Sequence, residues 1–202
     1  MSFADQELTQ EKIEGIRGNP NIIHWQDLCT NYILPQDFMR EFKEYLNWER
    51  VSAFQKLSED SIEEFRDYLH WYYICKYQKL SENFIWKLRD KVNWYHISTY
   101  QKLSENFIIQ SSKYVHWNNI SACQILSDNL IRKFHDKVNW YYIAKHQKIS
   151  EELFLEFKDY LEDTEYFEQC CYNQNYNNIK IYLKHGFKLN YIIQKHLIPC
   201  KF

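Results

Sequence analysis

Six of the seven tryptophans, Trp25, Trp48, Trp71, Trp94, Trp117 and Trp140, follow one another at intervals of 23 residues. A unit that short cannot enclose a core alone, so a fixed period of this kind points to a stack of like units. The neighbours keep register. Numbering each unit from the residue before Trp, position 1 is His24, Asn47, His70, Asn93, His116 or Asn139. Position 5 is Leu28, Val51, Ile74, Ile97, Ile120 or Ile143. Position 9 is Gln55, Gln78, Gln101, Gln124 or Gln147, with Tyr32 in the first unit. Position 11 is Leu or Ile, and position 12 is Ser58, Ser81, Ser104, Ser127 or Ser150, with Pro35 in the first unit. Position 23 closes with Leu or Val, so six units run without a gap over 24–161.

Each unit reads as two short antiparallel helices of about eight to ten residues, marginal alone because helix nucleation is costly. Asn at position 1 is a good N-cap and His a weaker one. Trp at 2, the aliphatic at 5 and Gln at 9 share one stripe. Ser at 12 caps the second helix, and the acid that usually follows at 13 suits the helix dipole. Positions 15, 16, 19 and 23 give its apolar face, as in Phe84, Ile85, Leu88 and Val92. Positions 23 and 5, and again 11 and 16, stand in the hydrophobic-staple relation about the two caps. The expected fold is all-α: an elongated, curved α-solenoid of six repeats. No glycine falls within 24–161, so no hinge or linker is expected there.

The flanks differ. Residues 1–23 read as a degenerate N-terminal cap, in which Leu8, Thr9, Glu11 and Ile13 echo the second half of a unit before Gly15, Gly18 and Pro20 interrupt it. Residues 162–202 read as a helical C-terminal cap, with Asp163 where Trp was due. The stretch Tyr166 to Asn190 resembles one ankyrin unit, with the small pair Cys170-Cys171, an Ile179/Leu183 face and Gly186 as the residue past the helix, although the Thr-Pro-Leu-His opening is missing.

Composition excludes several classes. With 3 Gly and 3 Pro, the chain is neither collagen-like nor rich in flexible linkers. A net charge of −2 offers no whole-chain attraction to nucleic acid or an anionic membrane. The mean hydropathy of −0.65 and the lack of any long apolar run leave nothing to span a bilayer, and the polar start does not read as a signal peptide. Six scattered Cys without a CxxC pair suit reduced thiols in an intracellular setting.

The run from Asn93 to Glu105 resembles repeat proteins encoded in multiple copies by giant DNA viruses of amoebae, the mimivirus group. The resemblance covers about two thirds of the chain. It implies an uncharacterised intracellular viral protein, in the host cytoplasm or the virion, and carries over no catalytic residue.

No P-loop, GxGxxG, HExxH, GxSxG or EF-hand pattern occurs, and neither enzyme activity nor a cofactor nor a metal is expected. The tryptophans could form a binding ladder, but at helical spacing from an aliphatic they read as core. The position-9 glutamines read as ties from helix end to turn backbone, within a unit or to its neighbour, rather than a ligand row. His alternating with Asn is what a cap position permits, not catalysis, and the serines are likewise caps. Lys56, Lys79, Lys102 and Lys148 could follow phosphates, but Glu59, Glu82, Glu105 and Glu151 three residues on suggest a mixed-charge solvated ridge. Cys170, Cys171, His185, His196 and Cys200 match no zinc spacing.

What varies among units is positions 3, 4, 7, 14 and 17. Tyr72, Tyr73, Tyr95, His96, Tyr141 and Tyr142 at positions 3 and 4, with Trp86 at 17, are the candidate protein-binding residues; the alternative is that the rings only lean over the groove between units. Asn118 and Asn119 interrupt this face, and Ser111 replaces a large residue at position 19, where a packing deficit or small pocket is expected. The functional expectation is a non-enzymatic scaffold binding a protein, of the host, through these positions. The alternative is a structural or assembly component, virion or homo-oligomeric, with self-association; nucleic acid is disfavoured and no membrane is involved.

Overall fold

The computed structural model describes residues 3–173 and 175–188. His196, Cys200 and Asn190, named above, lie outside them. The chain forms two compact units, 1–101 and 102–202, divided within the fourth repeat.

In the first unit a two-residue strand, β1 (Gln6–Glu7), precedes α1 (Gln10–Gly18) and a 3-10 turn at Pro20–Ile22. There follow α2 (Trp25–Asn31), β2 (Tyr32–Ile33), α3 (Gln36–Glu41), α4 (Trp48–Phe54) and α5 (Glu59–Glu64). The unit continues through α6 (Trp71–Tyr77), α7 (Glu82–Lys87) and α8 (Trp94–Tyr100). The second holds α9 (Glu105–Gln110), α10 (Trp117–Cys123), α11 (Asp128–Lys133) and α12 (Trp140–His146). It ends with α13 (Glu151–Glu156), α14 (Lys158–Leu161), α15 (Thr164–Tyr172) and α16 (Tyr176–Lys184). Successive first helices lie side by side, α2 to α4 to α6 to α8 in the first unit and α10 to α12 to α15 in the second. The fold is all-α, a solenoid-type stack of helical repeats.

Local chemistry sets these boundaries. Each position-12 Ser accepts the N–H three residues on, at 3.1–3.3 Å in Ser58, Ser81, Ser104, Ser127 and Ser150. Asn47, Asn93 and Asn139 cap in the same way, whereas the side chains of His24, His70 and His116 make no cap bond. The helices are shorter than the eight to ten residues expected, seven for first helices such as α6 and six for second helices such as α7. The reason is that position 9 is extended, at φ −86° and ψ 147° in Gln78, so the first helix stops before it.

The glutamines explain that extended turn. Gln78 is buried; its Oε1 accepts from Leu57 N–H at 3.1 Å, and its Nε2 donates to the carbonyls of Gln55 at 2.7 Å and Ser52 at 3.3 Å. Gln55 serves Leu34, Tyr32 and Cys29, and Gln101 serves Leu80, Gln78 and Cys75, in the same way. In the second unit Gln147 serves Leu126, Gln124 and Ser121, and Gln124 accepts from Leu103. The tie therefore runs to the preceding repeat, and one carboxamide satisfies three backbone groups of a buried turn.

Past the sixth repeat the ladder changes hands. Cys170 stands 23 residues after Gln147, and its thiol reaches only the Ala144 carbonyl, at 2.9 Å. The carboxamide comes instead from Asn178 on α16, which accepts from Ile149 N–H at 3.3 Å and donates to Ala144 O at 2.8 Å and Gln147 O at 2.9 Å. Asp163, where Trp was due, N-caps α15 through Glu165 N–H. Gly186, at φ +94°, follows α16 as expected.

Position 6 is a second buried polar site. Ser52 and Ser121 accept the position-1 N–H of the next unit, from His70 at 2.8 Å and Asn139 at 2.9 Å. Cys29 and Cys75 fill the same site beside Asn47 and Asn93; burial pushes their thiols up to about 11 and about 12.

Several expectations are corrected. Only Trp140 is buried; the other five repeat tryptophans are half-buried, because each indole covers the stack from its edge. Trp25, Trp48, Trp94, Trp117 and Trp140 donate Nε1–H to the carbonyl five residues back, and Trp48, Trp117 and Trp140 pack on Phe65, Phe134 and Phe157 at 4.7–5.0 Å. Gly15 does not interrupt α1, since a lone glycine inside a helix is tolerated. β1 pairs in parallel with β2, because the extended position-9 turn of the first repeat offers it an edge. Ser111 is buried, its hydroxyl donating to Phe107 O at 2.6 Å. The Lys row is exposed, but the acids do not form a simple solvated ridge: Glu59 accepts from Ser81 N–H at 2.6 Å, and Asp128 from Ser150 N–H at 3.3 Å.

Candidate functional site

The repeat turns positions 3, 4 and 7 of the first helices outward. In the first unit this gathers α6 and α8 residues into one aromatic group. Tyr72 stands edge-on to Tyr73 at 5.1 Å and to His96 at 4.9 Å, and Tyr95 edge-on to His96 at 5.4 Å. Tyr100 stacks on His96 at 6.0 Å, and Tyr77 on Tyr73 at 6.0 Å. Edge-to-face pairs at 4.5–7 Å are the favoured geometry for such rings. This is why Tyr72, Tyr73 and His96 are half-buried rather than fully exposed, while Tyr95 is 51% and Tyr100 38% exposed.

A cation sits inside the group. Lys76 Nζ donates to the Tyr72 hydroxyl at 3.0 Å and lies 5.2–5.4 Å from the ring centres of Tyr72, Tyr77 and Tyr100. Lys76, then Tyr100, lowers the Tyr72 phenol pKa, and Tyr72 in turn raises that of Lys76. Tyr73 donates to Glu49 at 3.0 Å, which raises its pKa. His96 Nδ1 is buried without a hydrogen-bond partner, and burial lowers the pKa of the ring.

The second unit carries a smaller group of the same design. Tyr141 is edge-on to Tyr142 at 5.3 Å and to Tyr166 at 5.8 Å; Tyr142 stacks on His146 at 6.0 Å, and Lys145 Nζ lies 5.5 Å over Tyr141. Tyr141 and Tyr142 are half-buried, like Tyr72 and Tyr73. Trp86 is half-buried on the second helix α7, where the Arg89 guanidinium lies 5.4 Å from its ring. In the fifth repeat Asn118 accepts from the Asn139 side chain at 3.0 Å, and the aromatic pattern is replaced by amides.

Sequence reading overlooked Lys76, Tyr77, Tyr100, Lys145 and Tyr166. A signal existed for the lysines: in both groups Lys stands four residues after a position-3 Tyr, neighbours on one helix face. Of the metal candidates, Cys170 and Cys171 are buried and His185 pairs with Glu151 at 2.9 Å; among the described residues no group of three or more His, Cys, Asp and Glu is placed to hold an ion. No described helix is long and apolar enough to cross a membrane. No protein-family model, no curated protein and no solved structure matches the chain.

Proposed function

We propose that the protein is a non-catalytic docking scaffold whose first-helix aromatic groups bind another protein. The observation that carries this reading is the joining of Tyr72, Tyr95, His96 and Tyr100 into one ring group on two successive helices, with Lys76 against Tyr72 and Tyr100. Aromatic side chains contribute large contact area at small entropic cost, and interface hot spots are enriched in them. Rings that brace one another are ordered before a partner arrives, which lowers the cost of association. The resemblance to repeats of amoebal giant viruses makes a host cytoplasmic protein the partner in this reading.

The test is affinity capture from amoeba lysate with mass spectrometry, comparing the parent chain with a Tyr95→Ser, Tyr100→Ser double variant. Both side chains are exposed, so helicity by circular dichroism should be retained. Loss of one host protein from the variant supports the reading; undiminished capture overturns it. Recovery of the bait alone, or of virion proteins, transfers the role to assembly.

A further inference from the structure

In the second unit the C-terminal turn of α12 and the first turns of α16 enclose a cleft of about 480 Å³. Its walls carry Lys145, His146, Lys148 and Lys180, with Tyr176 and Asn177 beside them, and no carboxylate is among the described lining residues. A volume in this range suits a small ligand.

The carbonyl end of a helix ordinarily repels anions. Here the carbonyls of Ala144, Lys145 and Gln147 already have partners. Asn173 donates to Lys145 O at 3.0 Å, and Asn175 and Asn178 donate to Gln147 O at 2.8 and 2.9 Å. The cleft is thus lined by three lysines while the Lys145 and Gln147 carbonyls beside it are satisfied. The asparagines come from the α15–α16 connection and α16, the segment that also brings Lys180.

This cleft is special within the repeats. Lysine occupies positions 7 and 10 together in only two of them, as Lys76 with Lys79 and as Lys145 with Lys148. In the third repeat Lys76 is bonded to Tyr72 inside the aromatic group. In the sixth, Lys145, whose Nζ lies 5.5 Å over the Tyr141 ring, lines an open volume together with Lys148 and with Lys180 from α16. Three like charges around one cleft repel one another, and a multivalent anion relieves that repulsion. Lysine ammoniums, as compact point charges, suit phosphate oxygens approaching from several directions.

From this juxtaposition of Lys145, Lys148 and Lys180 we infer that the α12–α16 cleft binds a small phosphate-bearing polyanion. The site shares no lining residue with the aromatic group on α6 and α8, and shares Lys145 and His146 with the group around Tyr141 and Tyr142.

The test is titration of the full chain with inorganic pyrophosphate at low salt, by calorimetry and by 31P line broadening. Saturable binding with one site per chain is expected. Lys148→Gln and Lys180→Gln should each weaken it by about tenfold or more. Lys79→Gln, at the same repeat position as Lys148, removes equal charge from a residue that does not line the cleft and should leave binding unchanged. All three lysines are exposed, so the variants should keep the parent's helicity. Failure to saturate at millimolar pyrophosphate overturns the proposal, as does equal weakening by Lys79→Gln, which marks diffuse charge attraction.

Discussion

The side-chain amide of Gln78 donates to the main-chain carbonyl of Gln55 at 2.7 Å, so the residue that ends one first helix is held by its counterpart one repeat later. The same carboxamide accepts from Leu57 N–H, which makes Gln78 a cross-link between two backbones rather than a local cap.

Gln78→Leu should be among the most damaging single changes in the first unit. It leaves the part-buried Leu57 N–H and two buried carbonyls without partners, at about 1–3 kcal/mol for each buried group. A loss of roughly 3 kcal/mol or more is expected in urea denaturation. A loss below about 1 kcal/mol would mean that water reaches the turn.

Asn178→Ala should act on one end of the second unit. Its carboxamide holds Ile149 N–H and the Ala144 and Gln147 carbonyls. Hydrogen exchange at Ile149 should accelerate at least about tenfold, while Leu126, held by Gln147, changes little.

Acidification should destabilise the protein in two windows. Burial lowers the pKa of both His96 and His146 below the ordinary 6.5, so the unfolded chain takes up those protons more readily. Their contribution is complete above pH 6.5 and is lost as pH falls through the lowered values. Arg17, Arg40 and Lys184 hold Glu41, Glu64 and Glu151 below 4.5, so those carboxylates contribute above that pH and lose their effect only below it. Denaturation midpoints measured across pH for His96→Phe should show a shallower fall in the upper window only.

Alkylation should discriminate among the cysteines. Cys29, Cys75, Cys170 and Cys171 have no exposed surface, and burial pushes their thiols up to about 11–12. Cys123 is exposed, with its pKa raised less. Iodoacetamide with peptide mapping should mark Cys123 well before those four.

Gly186→Ala should cost about 1 kcal/mol, because φ +94° strains any L residue although the space for a Cβ is open. A melting temperature equal to the parent's would refute this.

Much of the frame is legible from spacing, because one helix pair repeats and each of its positions meets the same surroundings. Ser81 and Asn93 are caps in the sequence and in the structure. Asn178 was not legible as a ladder residue: it lies 31 residues after Gln147, on the other helix of its pair, where periodicity no longer predicts position. Position 6 was hidden because Ser52 and Cys75 look like ordinary small core residues until the neighbouring N–H is placed. The half-exposure of the tryptophans was missed because a shared stripe gives the direction of a side chain and not the depth of its cover. The outward aromatic positions and their interruption at Asn118 and Asn119 are legible in the sequence, whereas the cations among the rings depend on contacts that spacing does not specify.

The direction of the glutamine ties makes the array vectorial. Each repeat depends on its successor: Gln55 serves the turn of the repeat before it, and Gln78 serves that of Gln55. During synthesis a turn is left waiting until the next 23 residues or so have emerged, so completion would follow the ribosome one step behind. Shortening such a chain from its two ends is not equivalent. Removal from the front discards a donor's client, whereas removal from the back orphans the last turn, and Asn178 is the residue that prevents this.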